Sequence, residues 1–293
     1  MTERKDISSV QGSEQSTITY TVDSFANGIA FGQHKLKAGD DPRDFYGLRL
    51  DEDGELARLR SRYTLNKDNP FCELERHLMR LSSQGVLRSS VIYFGTTTDP
   101  FLPFQDKFDA SMRFLELFKR YTPGLLVIQT RSPLIVIAMP VLSKLGKHCA
   151  VTFGIETCLE ESVRRYTPAL PRIEERLKTV TALRRFGIEV TLQASPILPY
   201  GDWKTDAPRF AEMLVEHGDY VYVRSITDGS DRVERKVRTT ELAKKLAQDR
   251  KFHWLRPDTA NMVITEIEKL APQKLVVPKR SELTAKQVRL FGT

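Results

Sequence analysis

The sequence predicts an α/β fold: a six-stranded parallel partial (β/α)6 barrel with a small C-terminal extension. Three observations carry this. Short apolar runs alternate with helical patterns along most of the chain, which implies right-handed crossovers and a parallel sheet. The runs have the unbroken apolar character of strands covered on both faces. The strand–helix units number six, too few for an eight-fold barrel. The 293 residues, 40% hydrophobic and 28% charged, have ordinary globular composition and suffice for one such domain.

Residues 1–15 are polar and read as a disordered tail before the barrel, which spans 16–250. Ser16–Val22 alternates Thr and Tyr with apolar residues and reads as the first strand. Residues 23–69 follow as a long polar loop, of the kind that is usually functional or mobile. A helix is expected over Glu73–Ser83 from Leu74, Leu78 and Leu81, and a strand at Ser90–Gly95. Phe108, Met112, Leu115 and Phe118 form a helical stripe over Lys107–Tyr121, and Gly124–Gln129 is the third strand. Ser132 and Pro133 pair an N-cap with a first-turn proline and open an apolar helix to Leu145.

The stretch from His148 to Asp202 reads as strand, polar crossover loop, amphipathic helix and strand. Helices over Ala207–Glu216 and Thr239–Gln248 flank a sixth strand at Asp219–Ser225. The extension, 251–293, holds a helix at Thr259–Leu270 and a short apolar run, LVVP, expected to cap the end of the barrel.

No apolar run approaches the roughly 18 residues of a membrane span, and the N-terminus has no apolar signal core. A soluble cytoplasmic protein that does not engage the membrane is expected. The three cysteines, Cys72, Cys149 and Cys158, are scattered and odd in number, which fits a reducing compartment. The formal net charge is +7. Its Lys and Arg are interleaved with Glu along helices, which leaves two readings open: solvated helix faces, or a surface for nucleic acid or other anions.

Candidate site residues cluster where strands end, because α/β folds bind ligands at the C-terminal ends of their strands. Gly95-Thr96-Thr97-Thr98-Asp99-Pro100 puts hydroxyls and a carboxylate after the second strand, as a ligand contact or a capped turn. Thr130-Arg131-Ser132 joins a hydroxyl and a guanidinium at a helix start, which suits an anion or merely an N-cap. Glu156, with Thr157, Arg164 and Arg165, suits a ribose diol or an ammonium, or else a salt bridge from Glu156 to Arg164 or Arg165. Ser195 and Asp202 complete the rim. No nucleophile triad, Walker loop or dinucleotide fingerprint is present.

Taken together, FGTTTDPFLPFQDK, QTRSPLI and the segment from FGIET to LPYGD resemble the radical S-adenosylmethionine superfamily, and within it the spore photoproduct lyase-like branch. The resemblance covers roughly residues 65–225. It implies the partial barrel, a [4Fe–4S] cluster held by three cysteines after the first strand, and S-adenosylmethionine on the cluster's open iron. The corresponding positions here are Phe25, Ile29 and Gly32, and none of these can ligate iron. Thr98, Asp99, Thr130, Glu156, Arg164 and Ser195 are the cofactor-binding positions the resemblance implies.

Three functions follow as expectations. The first is a cluster-free descendant that keeps a pocket for a nucleoside-like or S-adenosylmethionine-like small molecule, in a regulatory or scaffolding role beside a protein partner. The second is an active radical enzyme with unusual cluster ligands, acting on nucleic acid or another substrate. The third is a non-radical enzyme using Asp99 or Glu156 as general base and Arg131 as anion clamp.

Overall fold

The computed structural model describes residues 31–32, 70–85, 87–89, 91–95, 99–101, 103, 105–227, 229 and 231–276. Five parallel strands form the sheet in sequential order: β2 (Val91–Phe94), β3 (Leu125–Thr130), β4 (Cys149–Gly154), β5 (Glu189–Ala194) and β6 (Tyr220–Val223). β1 (Phe31–Gly32) joins the edge of β2 antiparallel, Phe31 opposite Ile92 and Gly32 opposite Val91. Of the expected six-stranded parallel sheet, five parallel strands are described. The sheet is parallel over five strands, and the two-residue pairing falls inside the stretch expected to be all loop. The expected strand at Ser16–Val22 lies outside the described residues.

The helices are α1 (Pro70–Ser83), α2 (Gln105–Arg120), α3 (Met139–Leu145), α4 (Glu160–Tyr166), α5 (Ile173–Arg185), α6 (Ala207–His217), α7 (Asp231–Arg238), α8 (Glu241–Gln248) and α9 (Asn261–Leu270). Most bury an apolar stripe. In α1 it is Leu74, Leu78 and Leu81; in α2, Phe114, Leu115 and Phe118; in α6, Phe210, Ala211 and Leu214. All of these join one cluster with Ile92, Phe94, Leu126, Ile128, Val151, Phe153, Val190, Leu192, Val221 and Val223. Side chains alternate across a strand, so those residues define one face of the sheet, the face the helices cover. Neighbouring strands in chain order, joined by crossovers of one hand, put every crossover on the same side.

The opposite face carries a small second cluster of Val91, Tyr93, Leu125, Val127 and Ala150, with Val276 packed against it. Val276 also donates its backbone N–H to Val221 O (2.8 Å), and Leu275 bridges Val221 in parallel. Leu275 and Val276, the start of the LVVP run, therefore lie beside β6; the rest of the run lies outside the described residues. Lys274 anchors the pair by donating to Val215 O (2.8 Å) and Gly218 O (3.0 Å) at the close of α6.

Two local elements differ from expectation for identifiable reasons. The helix expected over 132–145 splits into a 3-10 segment, Pro133–Ala138, and α3. Pro140 lacks the N–H that would bond Val136, and its ring crowds that carbonyl, so the chain before it tightens. Ser132 is the N-cap as expected, accepting from Leu134 N–H (3.3 Å). The crossover expected to be loop contains α4, whose only buried apolar residues are Val163 and Tyr166. Arg165 and the Tyr166 hydroxyl both bond Asp249, tying α4 to the end of α8.

Candidate functional site

β2, β3, β4 and β5 all end on one rim, and the loops that leave them are bonded to one another. After β2 the chain turns at Gly95, whose φ is +89°. A Cβ there would overlap Gln129 O and come 2.6 Å from Pro100 Cδ, so only glycine fits between β3 and the turn. Ser111 of α2 donates to Pro100 O (2.5 Å) and fixes the turn from the helix side. Asp99 is thereby aimed at β3. Its Oδ1 accepts from Phe101 N–H (2.9 Å) and the Thr130 hydroxyl (2.7 Å), and its Oδ2 from Arg131 N–H (2.7 Å). Burial pushes the Asp99 carboxyl up, and the two backbone N–H bonds and the Thr130 hydroxyl only partly offset it.

Glu156, just beyond β4, lies between two guanidiniums. Arg131 Nε donates to its Oε1, and Arg176 Nη1 to its Oε2 (2.8 Å). Arg131 also reaches Ser195 O (3.3 Å), and Arg176 reaches Gly154 O (2.9 Å). Glu156 is 2% exposed and Arg176 0%. Burial alone would raise the Glu156 carboxyl, but the charges and hydrogen bonds of Arg131 and Arg176 outweigh it and hold the group below the usual range. Gly154 permits the approach: a Cβ there would sit 2.7 Å from Arg131 Cγ and 2.9 Å from Glu156 Oε1. Thr157 donates to Pro199 O (2.8 Å), and Leu198 N–H to Glu156 O (2.8 Å), joining the loops after β4 and β5.

Of the residues singled out from sequence, Asp99, Thr130, Glu156 and the Ser195 carbonyl thus meet in one network. Arg164 does not enter it and lies on the exposed side of α4, and Asp202, also exposed, accepts from Lys204 and Thr205 N–H in a separate turn. Thr98 lies outside the described residues. Glu156 pairs with Arg131 and Arg176, not with Arg164 or Arg165. Arg176 was not among the candidates. Its signal is positional: Ile173, Arg176, Val180 and Leu183 share the buried stripe of α5, and an arginine in a core stripe needs a buried anion.

The second sheet face carries a different feature. Gln129, Thr152 and Thr191 are register neighbours across β3, β4 and β5. All three are buried, and Gln129 Oε1, Thr152 Oγ1 and Thr191 Oγ1 have no hydrogen-bond partner. Gln129 Nε2 donates to Gln193 Oε1 (2.7 Å), extending the polar row toward the strand end.

Among the described residues the cysteines do not fit an iron–sulfur cluster. Among the described residues no group of three metal-ligating side chains converges. Cys149 opens β4 and Cys158 follows its far end, so a six-residue strand of about 20 Å separates them. Cys72 is on the exposed side of α1. Phe25 and Ile29 lie outside the described residues. Gly32 stands opposite Val91, at the end of β2 remote from Asp99.

No protein-family model matches the chain, and no curated protein matches it. Among solved structures it is similar to spore photoproduct lyase. One match is a doubly substituted form with bound AdoMet and dinucleoside spore photoproduct, at 12% identity and TM-score 0.49, covering 73% of this chain and 68% of that one. Another is the enzyme complexed with dinucleoside spore photoproduct, at 10% identity and TM-score 0.49, covering 87% and 84%. Among the described residues no helix is long and apolar enough to cross a membrane.

Proposed function

We propose that this chain is a cluster-free relative of the radical S-adenosylmethionine enzymes, a partial barrel that binds a nucleoside-like small molecule in a regulatory or scaffolding role. The observation that carries the ligand is the row Gln129, Thr152 and Thr191. Three buried oxygens without partners are costly in a native protein, and such groups ordinarily meet water or a ligand. The row holds no charge, so it suits the amide, amine and hydroxyl groups of a base or sugar. In the charged rim Glu156 is held by Arg131 and Arg176, and Asp99 by the Arg131 N–H, while Arg176 Nε and Nη2 are buried without partners among the described residues.

The partial-barrel reading draws on Val276, which bonds Val221 of β6 yet packs against the cluster built from β2, β3 and β4, as a sheet curled on itself allows. The cluster-free reading draws on the motif resemblance together with the separation of the three cysteines. General-base chemistry at Glu156 is disfavoured because two guanidiniums occupy its oxygens and lower its basicity.

The test is anaerobic reconstitution with iron and sulfide, followed by thermal shift with adenosine, 5′-deoxyadenosine and S-adenosylmethionine. Colourless protein stabilised by the nucleosides is expected. A brown protein with about four irons per chain that cleaves S-adenosylmethionine under dithionite overturns the cluster-free reading. Absence of any nucleoside-dependent shift overturns the ligand.

A further inference from the structure

The last helices enclose a groove that the strand-end network does not use. α7 and α8 form two of its walls, and the turn Phe252–Leu255 with Pro257 forms the third, around a volume of about 520 Å³. Its floor is aliphatic, from Val237, Ala247, Leu255 and Pro257. Phe252 stands at its edge, 59% exposed. The turn that holds it is pinned, because the neighbouring Trp254 is buried and meets Tyr200 edge-on at 4.9 Å. A large aromatic side chain held in water by an anchored turn is the informative exception on a protein surface. α7 reads DRVERKVR, and its two apolar residues, Val233 and Val237, are both only half-buried.

The rim is cationic. Arg238, Lys244 and Arg256 line the groove against one carboxylate, Glu234. Each cation is held by a neighbour close in sequence: Arg238 by Glu234 (3.3 Å), Lys244 by Glu241 (2.6 Å) and Arg256 by Asp258 (2.6 Å). Exposed pairs of this kind are weak and can exchange for carboxylates of a partner.

We propose that this groove docks an acidic amphipathic segment of a protein partner. The segment's apolar side chains fill the floor beside Phe252, and its carboxylates meet Arg238, Lys244 and Arg256. An aliphatic floor favours a peptide over nucleic acid, whose bases stack on aromatic platforms, and among the described residues Phe252 is the one aromatic lining this groove. The groove adjoins the end of β6, since Ser225 donates to Pro257 O (2.7 Å) and accepts from Ala260 N–H (3.1 Å). It shares no residue with the row on the second sheet face, so the two proposals stand or fall separately.

The experiment uses the full chain and three fluorescein-labelled probes. One is a helical peptide of about 15 residues with Leu at i, i+3/i+4 and i+7 and Glu elsewhere. The second is its counterpart with Lys in place of Glu, and the third is a single-stranded oligodeoxynucleotide. Anisotropy is expected to show binding of the acidic peptide, weakened about tenfold or more by Phe252→Asp and by Arg238→Glu, and falling as salt is raised. Both substituted side chains are exposed, so circular dichroism should show wild-type melting. The proposal is overturned if the acidic peptide does not bind, if both peptides bind alike, or if Phe252→Asp leaves binding unchanged. It is equally overturned if the oligonucleotide displaces the peptide from the groove, or if the chain alone is a dimer that Phe252→Asp dissociates.

Discussion

Arg176 and Glu156 form an ion pair with essentially no access to solvent, 2.8 Å between Nη1 and Oε2, at the point where the fourth strand gives way to its loop. Arg131 approaches the same carboxylate from the third strand's end, its side chain 28% exposed. One buried anion therefore fastens two strand ends and a helix together.

Removing that anion should be far worse than trimming the outer cation. Glu156→Ala leaves Arg176 buried without a counter-charge, and a loss of about 3–5 kcal/mol is expected. Arg131→Ala should cost less, because water can reach its place and Arg176 still neutralises Glu156. Urea unfolding of the two variants beside wild type checks the order; equal losses would contradict it.

The acid limb of stability should depend on Glu156. Its carboxyl titrates lower folded than unfolded, so its stabilisation is complete above the ordinary glutamate value of about 4.3 and disappears as the pH falls through the folded value. Asp99 works in the opposite sense, because its folded value is raised: its contribution is present below the ordinary aspartate value of about 3.9 and lost as the pH rises through the raised one. Urea midpoints between pH 3 and 7 should fall more steeply toward acid in wild type than in Glu156→Gln. Parallel profiles would show that the pair does not control this limb.

Thr152 and Thr191 offer a test in which stability and binding move in opposite directions. Replacing either by Val removes a buried hydroxyl that has no partner, so the ligand-free protein should gain about 1 kcal/mol. The nucleoside-dependent thermal shift should shrink at the same time. A variant that lost stability without ligand would mean the hydroxyl is already satisfied.

The three thiols should react in a fixed order with Ellman's reagent. Exposed Cys72 is expected to react at once, and half-buried Cys158 more slowly, since burial raises its thiol. Cys149 should stay silent until the protein unfolds, because burial pushes its thiol up to about 12. Three thiols titrating together in native protein would contradict the placement of Cys149 at the base of the sheet.

The sheet was legible because its strands are short, mostly apolar runs, unbroken on the face that the helices cover, at Val91, Leu125, Cys149 and Val190. The alternation of strand and helix gave the strand order in turn. Helices were visible where leucine and phenylalanine recur at helical spacing, as in α1 and α2. They were hidden where few apolar residues do the packing, as in α4 and α7, or where proline divides one apolar run, as at Pro140. The site was half legible. Asp99, Thr130 and Glu156 announced themselves as polar residues directly after strands. Their partners did not, because the contact of Glu156 with Arg176 spans 20 residues and depends on how α5 lies against β4. The row of Gln129, Thr152 and Thr191 was missed for a related reason. Each looks like an ordinary strand residue, and only the register aligns them.

The bond between Val276 and Val221 bears on how the chain is made. Until residue 276 has left the ribosome, the outer edge of β6 has no neighbour from this segment, and an open strand edge is a template for another chain. The helices over the first face can pack well before that moment. A nascent chain stalled between α9 and Lys274 would therefore have its core largely assembled and a sticky border still uncovered, a condition that favours aggregation.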